Sequence, residues 1–243
     1  MTARIAVIPA RGGSKRLPRK NILPVLGRPM LHYPVKAALD SGCFDRVIVS
    51  TEDEEIRNIA LGAGAEVMNR PDHLTRDQST VAQVCLDVLA RLSEHEEITS
   101  DWFCCIYATA IFITPEDICS ALAMVEKDTR ANCVMGVSDF NLQPLQSLEK
   151  DAEGFLKPRW QECMLQSQFH PQLVASNGTL YWVRTKDFVQ QKSFYTDKML
   201  GYKIPWIRAI DLDTPGDYDI ACRIAPLLLG EIAPGRRQNA DHY

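Results

Sequence analysis

A chain of 243 residues, 46% of them hydrophobic, is long enough to bury a full core, and its length points to one large domain or one domain with an appendage. No run of about 18 apolar residues occurs, and the opening MTARIAVIPARGG lacks the basic-then-apolar layout of a secretory signal, so no membrane partner is read and a cytoplasmic protein is expected. A formal net charge of −4 argues against nucleic acid as a partner, and the eight cysteines, with no CxxC and no Cys/His spacing suited to zinc, read mostly as reduced core residues.

Residues 4–9 form an apolar run without polar alternation, the pattern of a strand buried on both faces of a parallel sheet. A glycine-containing loop follows, then a helix over 33–41 stopped by Gly42 and a second apolar strand over 46–50, completing a βαβ unit. A helix over 54–61, a strand over 65–68 and a longer helix from about 79 continue the rhythm. In that longer helix Val81, Val84, Cys85, Val88, Leu89 and Leu92 recur at helical spacing, the stripe of a helix packed on a sheet. A strand over 102–107, a helix over 115–126 with Pro115 in its first turn and a strand over 133–137 come next. Strands alternating with helices predict the α/β class, with a doubly wound, mostly parallel sheet.

The rhythm lapses between about 139 and 176, which reads as an inserted lobe between 1–138 and 177–230 of the α/β domain. Strand patterns return over 179–183 and 206–212, and Thr214, Pro215 and Asp217 signal a helix start. Residues 231–243, polar with Pro and Gly, are expected to be loose.

The densest chemistry follows the first strand, in Ala10, Arg11, Gly12, Gly13, Ser14, Lys15, Arg16, Leu17, Pro18, Arg19, Lys20 and Asn21. Five cations within residues 11–20 demand an anion or solvent. Ligands of open α/β sheets bind beyond the carboxyl ends of the strands; there, glycines let backbone N–H groups approach a phosphate while Arg and Lys neutralise it. Neither GxGxxG nor GxxxxGK[ST] is present, and a solvated basic turn is the competing reading.

A second constellation is Asp211-Leu212-Asp213-Thr214-Pro215. On the strand expected there, residues i and i+2 share a face, so both carboxylates can meet one hard cation together with triphosphate oxygens. Turn chemistry, with one aspartate satisfying the next helix, is the alternative.

The run IPARGGSKRLPRKN, followed by a helix and FDRVIVSTEDEEI, resembles the N-terminal signature of the acylneuraminate cytidylyltransferase family, and the resemblance extends from Ile5 to about Leu229. It implies a Rossmann-like nucleotidyltransferase sheet whose small inserted lobe, 139–176, makes a homodimer and closes the partner's sugar pocket. The substrates implied are CTP and an acidic nine-carbon 2-keto sugar, the cofactor Mg²⁺ or Mn²⁺ on Asp211 and Asp213, and the catalytic set Arg11, Lys20, Asp211 and Asp213. CTP is implied to lie on Ala10, Arg11, Gly12, Gly13, Ser14, Lys15 and Asn21, and on Arg70, Ser79 and Thr80, which match the family's RP…D-x-S-[ST] stretch beside base and ribose. Ser79 and Thr80 read equally well as a helix cap.

On the sugar side the resemblance implies Tyr107, Thr109, Gln166, Gln168, Asn177, Gly178 and Tyr181. The CCIY strand and the Ser167-Gln168 to Gly178 spacing are most similar to the pseudaminic-acid branch; CMP-N-acetylneuraminate and CMP-legionaminate synthesis are the alternatives. Three departures stand out: the segment 106–112 lacks both prolines of the family's Pro-Thr-[SA]-Pro turn, Gln166 stands where that branch has Arg, and Ser176-Asn177 replaces Asp-Ala. The rival functions are a nucleotidyltransferase acting on a sugar 1-phosphate and a non-catalytic nucleotide-binding subunit. None of His32, His73, His95, His170 and His242 stands in an obvious base position.

Overall fold

A computed structural model describes residues 3–230, so the expectation for 231–243 lies outside the described residues. In chain order the elements are β1 (Ile5–Pro9), the short ribbon β2 (Pro24–Val25) and β3 (Arg28–Pro29), α1 (His32–Ser41), β4 (Arg46–Thr51), α2 (Glu54–Ala63), β5 (Glu66–Asn69), α3 (Val81–Glu96), β6 (Trp102–Ile106), α4 (Pro115–Lys127) and β7 (Cys133–Asp139). The chain continues through β8 (Leu148–Lys150), β9 (Leu156–Pro158), β10 (Val174–Arg184), α5 (Thr185–Gln191), β11 (Met199–Lys203) and α6 (Pro215–Leu228).

The main sheet has seven strands in the order β11-β7-β10-β6-β1-β4-β5. β1 lies between β4 and β6, parallel to both, with Val7 opposite Ile48 and Cys105. A strand covered by helices on both faces has no solvent side, so every position must be apolar. Ala6 and Ile8 face one core with Val35 of α1 and Ile118 of α4, while Ile5 and Val7 face the other with Cys85, Val88, Leu89 and Leu92 of α3. The doubly wound reading and the α3 stripe therefore hold. β10 is antiparallel to both β6 and β7, which makes the sheet mostly rather than wholly parallel.

Helix starts follow local chemistry. Thr80, Thr114 and Thr214 each form a capping box with the residue three positions on, namely Gln83, Asp117 and Asp217.

Two expectations fail near the C-terminal half. Residues 206–212 are no strand: Pro205, lacking an N–H for a ladder, precedes a 3₁₀ turn over Trp206–Arg208, and the chain then runs irregularly to Asp213. The edge strand is β11 instead, which alternates exposed and half-buried residues and so carries no apolar run. β10 also begins earlier than the apolar pattern indicated, at Val174, with a register shift between Ser176 and Tyr181.

Between β7 and β10, β8 and β9 pair with each other only. This segment exposes Leu148, Phe155, Leu156, Trp160 and Phe169. None of the eight cysteines forms a disulfide; Cys85, Cys104, Cys105 and Cys133 are buried, while Cys43, Cys119, Cys163 and Cys222 are partly exposed. Among the described residues no helix is long and apolar enough to cross a membrane.

Candidate active site

The basic loop leaves the carboxyl end of β1, where the Ala10 N–H donates to the Ser50 carbonyl at 3.0 Å. The Gly12 N–H donates to Glu52 Oε1 at 2.8 Å, and a Cβ on Gly12 would lie 2.5 Å from Asp53 Oδ2, so this approach requires glycine. Gly13 and Ser14 complete the turn, with the Ser14 N–H on the Gly12 carbonyl at 3.1 Å. Buried Asn21 pins it, its Nδ2 donating to the Arg11 carbonyl at 2.9 Å.

Every cation of the loop meets a carboxylate of its own chain. Arg11 lies 3.0 Å from Asp77, which Lys15 also engages. Arg16 and Lys20 converge on Asp213 at 2.5 and 2.9 Å, and Lys20 donates further to the Leu212 carbonyl at 3.2 Å. Arg19 pairs with Asp53, and with Glu55 at 2.6 Å. Lys15 and Arg11 hold the Asp77 carboxyl below the usual range, and Arg19 does the same for Asp53. Glu52, Asp53 and Asp77 are the residues that sequence reasoning left out of the site; their signal lay in the acidic run after β4 and in the Asp77–Thr80 stretch.

Beside this loop is a cavity of about 210 Å³ lined by Arg11, Lys20, Asn21, Arg70, Ser79, Tyr107 and Thr109, with Val81 and Val84 as apolar wall. Arg70 is only 4% exposed; it donates to the Ser50 carbonyl at 2.8 Å, while its Nε makes no hydrogen bond and lies 4.0 Å from Glu52 Oε2. Burial lowers its pKa. Ser79 donates to the His73 carbonyl at 3.1 Å, whereas the Thr80 hydroxyl accepts the Gln83 N–H at 3.2 Å as the cap of α3 and does not line the cavity.

Leu212 is fully buried against Ile111, Phe112 and Met30, and this anchors the two aspartates that flank it. The Asp213 N–H donates to the Asp211 carbonyl at 3.2 Å, so the segment is turned rather than extended. Asp213 meets the basic loop; Asp211 lines a second cleft. Asp211 reaches solvent, yet the protein crowding it raises its carboxyl pKa, to which Asp213 adds, while Lys20 and Arg16 oppose the rise. The pair offers hard oxygen donors and a like-charge repulsion that a cation would relieve, which fits a hard divalent ion. No group of three or more His, Cys, Asp or Glu is placed to hold a metal among the described residues, so further donors would come from substrate and water.

The chain matches the cytidylyltransferase family over residues 5–197. It belongs to that family. CMP-N,N'-diacetyllegionaminic acid synthase of Legionella pneumophila is 32% identical to it over 227 residues, covering 92% of this chain and 96% of that one. Pseudaminic acid cytidylyltransferase of Campylobacter jejuni is 28% identical over 225 residues, 89% of this chain and 94% of that one. The structure of CMP:2-keto-3-deoxy-manno-octonic acid synthetase complexed with CTP shares the fold, with a TM-score of 0.67 at 15% identity over 93% of this chain and 99% of that one. The chain is thus a nucleotidyltransferase enzyme.

In this cytidylyltransferase the second cleft, about 630 Å³, adjoins the first through Tyr107 and is lined by Asn177, Gly178, Tyr181, Trp206 and Asp211. Among the described residues its lining carries acidic side chains and no Lys, Arg or His. Asn177 accepts from the Thr179 hydroxyl at 2.6 Å and donates to Ser138 at 3.0 Å. Gly136 beneath them has no room for a side chain: a Cβ would lie 2.2 Å from Thr179 Oγ1. Gly178, at φ 62°, passes under the Tyr107 ring, and Tyr181 shares a 2.8 Å hydrogen bond with Ser176.

Three residues read as sugar contacts stand outside the lining of this second cleft. Thr109 lines the first cavity, while Gln168 donates to Gln166 at 2.9 Å in the segment between β9 and β10 and borders a separate cleft with Asp139, His170 and Lys203. The loop that lacks the family's prolines is held instead by burial of Ala110, Ile111, Phe112 and Ile113 and by N–H bonds from Ala110 to Tyr107 at 3.0 Å and from Ile111 to Thr109 at 2.8 Å.

Proposed function

We propose that this cytidylyltransferase joins CMP from CTP to an acidic nonulosonic sugar, releasing pyrophosphate. The observation that carries the reading is the meeting of Lys20 with Asp213 at 2.9 Å, which brings the basic loop to one of the two carboxylates beside the first cavity. A pure binder has no need of such carboxylates at a phosphate site, and the names of both relatives support CTP and a nine-carbon acceptor.

Arg11, Lys15, Arg16 and Lys20 would neutralise the triphosphate, exchanging internal carboxylates for phosphate oxygens. Asp211 and Asp213 would hold Mg²⁺ or Mn²⁺, which when bound supplies charge neutralisation on the phosphates. The chain's own work is positioning: Arg70, Asn21 and Tyr107 shape the nucleotide cavity, and Asn177, Gly178 and Tyr181 the acceptor cleft. The acceptor's anomeric 2-hydroxyl attacks the α-phosphorus, a P–O bond forms as the bond to pyrophosphate breaks, and no side chain is assigned as general base. The exposed Leu148, Phe155, Leu156, Trp160 and Phe169 support a homodimer in which the 139–176 segment of one copy, carrying Gln166 and Gln168, closes the partner's cleft. The setting proposed is the cytoplasm.

Pseudaminic acid is the acceptor proposed from the CCIY strand and the Ser167-Gln168 to Gly178 spacing. A legionaminic acceptor is the second reading, favoured by the 32% identity to the Legionella synthase. Initial rates of CMP-sugar formation from CTP with pseudaminic, legionaminic or N-acetylneuraminic acid, each supplied alone because the first two are isomers of equal mass, separate them: the reading expects the highest rate with pseudaminic acid, and a faster reaction with either of the others overturns that choice.

A further inference from the structure

A single buried carboxylate joins the nucleotide side of the site to the segment carrying Asp211 and Asp213. Asp117, third residue of α4, is 2% exposed. Its Oδ2 accepts the Thr114 N–H at 2.9 Å and Arg208 Nη1 at 2.6 Å; its Oδ1 accepts Arg208 Nη2 at 3.0 Å and the Tyr202 hydroxyl of β11 at 3.0 Å. Arg208 Nη1 also donates to the Phe112 carbonyl at 3.3 Å. Arg208 ends the 3₁₀ turn from which the chain runs irregularly to Asp211, and Phe112 packs with Leu212, the residue between the two aspartates. The same guanidinium therefore grips the cap of α4, the loop that follows Tyr107 and Thr109, and the base of the aspartate segment.

We propose that Arg208 and Asp117 are a positioning pair that fixes Asp211 and Asp213 against the nucleotide-cavity loop, doing here what ring rigidity would do in a loop with prolines. The proposal rests on the reading that Asp211 and Asp213 hold the divalent ion. The physical basis is the planar fork: a guanidinium can satisfy both carboxylate oxygens and a carbonyl at once, which an ammonium on a flexible stem cannot. Burial alone would raise the Asp117 carboxyl; Arg208, the Thr114 N–H and Tyr202 together hold it below the usual range, as a fully engaged carboxylate requires. A pair serving only the α4 cap would need neither the Phe112 contact nor its place at the base of the aspartate segment.

The test uses the full chain as Arg208→Met, Asp117→Asn and Arg208→Lys. Mn²⁺ binding in the presence of CTP is followed by electron paramagnetic resonance, which needs no turnover, and kcat and the KM for CTP are measured at saturating metal. In folded Arg208→Met and Asp117→Asn, half-saturating Mn²⁺ is expected to rise about tenfold and kcat to fall about tenfold, with the KM for CTP moving less than about twofold and Arg208→Lys recovering part of the loss. Folded variants that melt earlier yet bind Mn²⁺ and turn over as wild type would assign the pair to α4 alone and overturn the proposal. Should Arg208→Met fail to fold, Arg208→Lys decides by the same Mn²⁺ titration: a weakened half-saturation supports the pair's role, an unchanged one rejects it. A wild type that binds Mn²⁺ with CTP but transfers to no nonulosonic acid would refute the acceptor reading, while the Mn²⁺ titrations would still judge the pair.

Discussion

Lys20 of the basic loop places its Nζ 2.9 Å from Oδ1 of Asp213, although 193 positions separate them in the chain. Under the proposed function, a phosphate-binding cation and a metal-binding carboxylate hold one another until the metal-bound nucleotide enters. Lys20→Ala should lose about ten- to a hundredfold in kcat/KM, the equivalent of one charge-assisted phosphate bond of about 1.5–3 kcal/mol, with an unchanged circular dichroism spectrum. Arg11→Ala should fall in the same range. Unaltered kinetics in both would return the loop to a solvated basic turn.

Asp211 and Asp213 should part company in stability while agreeing in activity. Because the folded environment raises the Asp211 pKa above its unfolded value, first through burial and then through Asp213, ionising Asp211 costs stability. That cost appears as pH rises out of the ordinary carboxylate range and persists at neutral pH. Asp211→Asn should therefore melt at or above wild type at pH 7 and lose this advantage at low pH. Asp213→Asn strips Lys20 and Arg16 of their partner and should melt lower, by about 2–4 °C. Both should lose at least about a hundredfold in activity, about 3 kcal/mol of transition-state stabilisation. Thermal melts at acid and neutral pH, paired with kinetics, check this; an Asp211→Asn variant that melts early with normal turnover would make the pair structural.

Asp77 holds Arg11 at 3.0 Å and Lys15 beside it, and under the proposed function it occupies these cations in place of a phosphate. Asp77→Asn should free both cations and lower the KM for CTP by about two- to fivefold at low ionic strength, an effect that shrinks as salt screens the exposed loop. Initial rates across a salt series measure it. A KM that rises would show that Asp77 orders the loop rather than competing with the nucleotide.

Gly136→Ala would drive a methyl to 2.2 Å from Thr179 Oγ1 and 2.7 Å from Asn177 Oδ1. Relief requires breaking the Asn177–Thr179 bond, at a cost of about 1–3 kcal/mol. The KM for the acceptor should rise while that for CTP stays near wild type, since Asn177 lines only the second cleft. Parallel titrations of the two substrates distinguish this from a general loss of folding.

The parts legible in the chain were those governed by local pattern. β1, β4, β6 and β7 are interior strands that carry apolar runs, and α4 and α6 announce themselves by Thr-Pro starts followed by an aspartate. The run over 206–212 misled because its apolar residues do not pair in the sheet: Ile210 and Leu212 pack with Ile111 and Phe112, while Trp206 and Ile207 stay exposed. β11 escaped notice because an edge strand with one half-open face needs no apolar run. Long-range pairing was illegible for a similar reason: nothing periodic links Arg11 to Asp77 or Arg208 to Asp117, 66 and 91 positions apart. Thr109, Gln166 and Gln168 were assigned by position in a motif; Thr109 lines the first cavity, and Gln168 bonds Gln166 in the segment between β9 and β10.

The central claim is cytidylyl transfer to a nonulosonic acid, and pyrophosphate release tests it most directly. Wild-type protein with Mg²⁺ should release pyrophosphate from CTP in preference to UTP, ATP and GTP, only when a phosphate-free nonulosonic acid is present, and should fall silent with a chelator. Equal release from UTP, or release driven by a sugar 1-phosphate in place of the acid, would contradict the account.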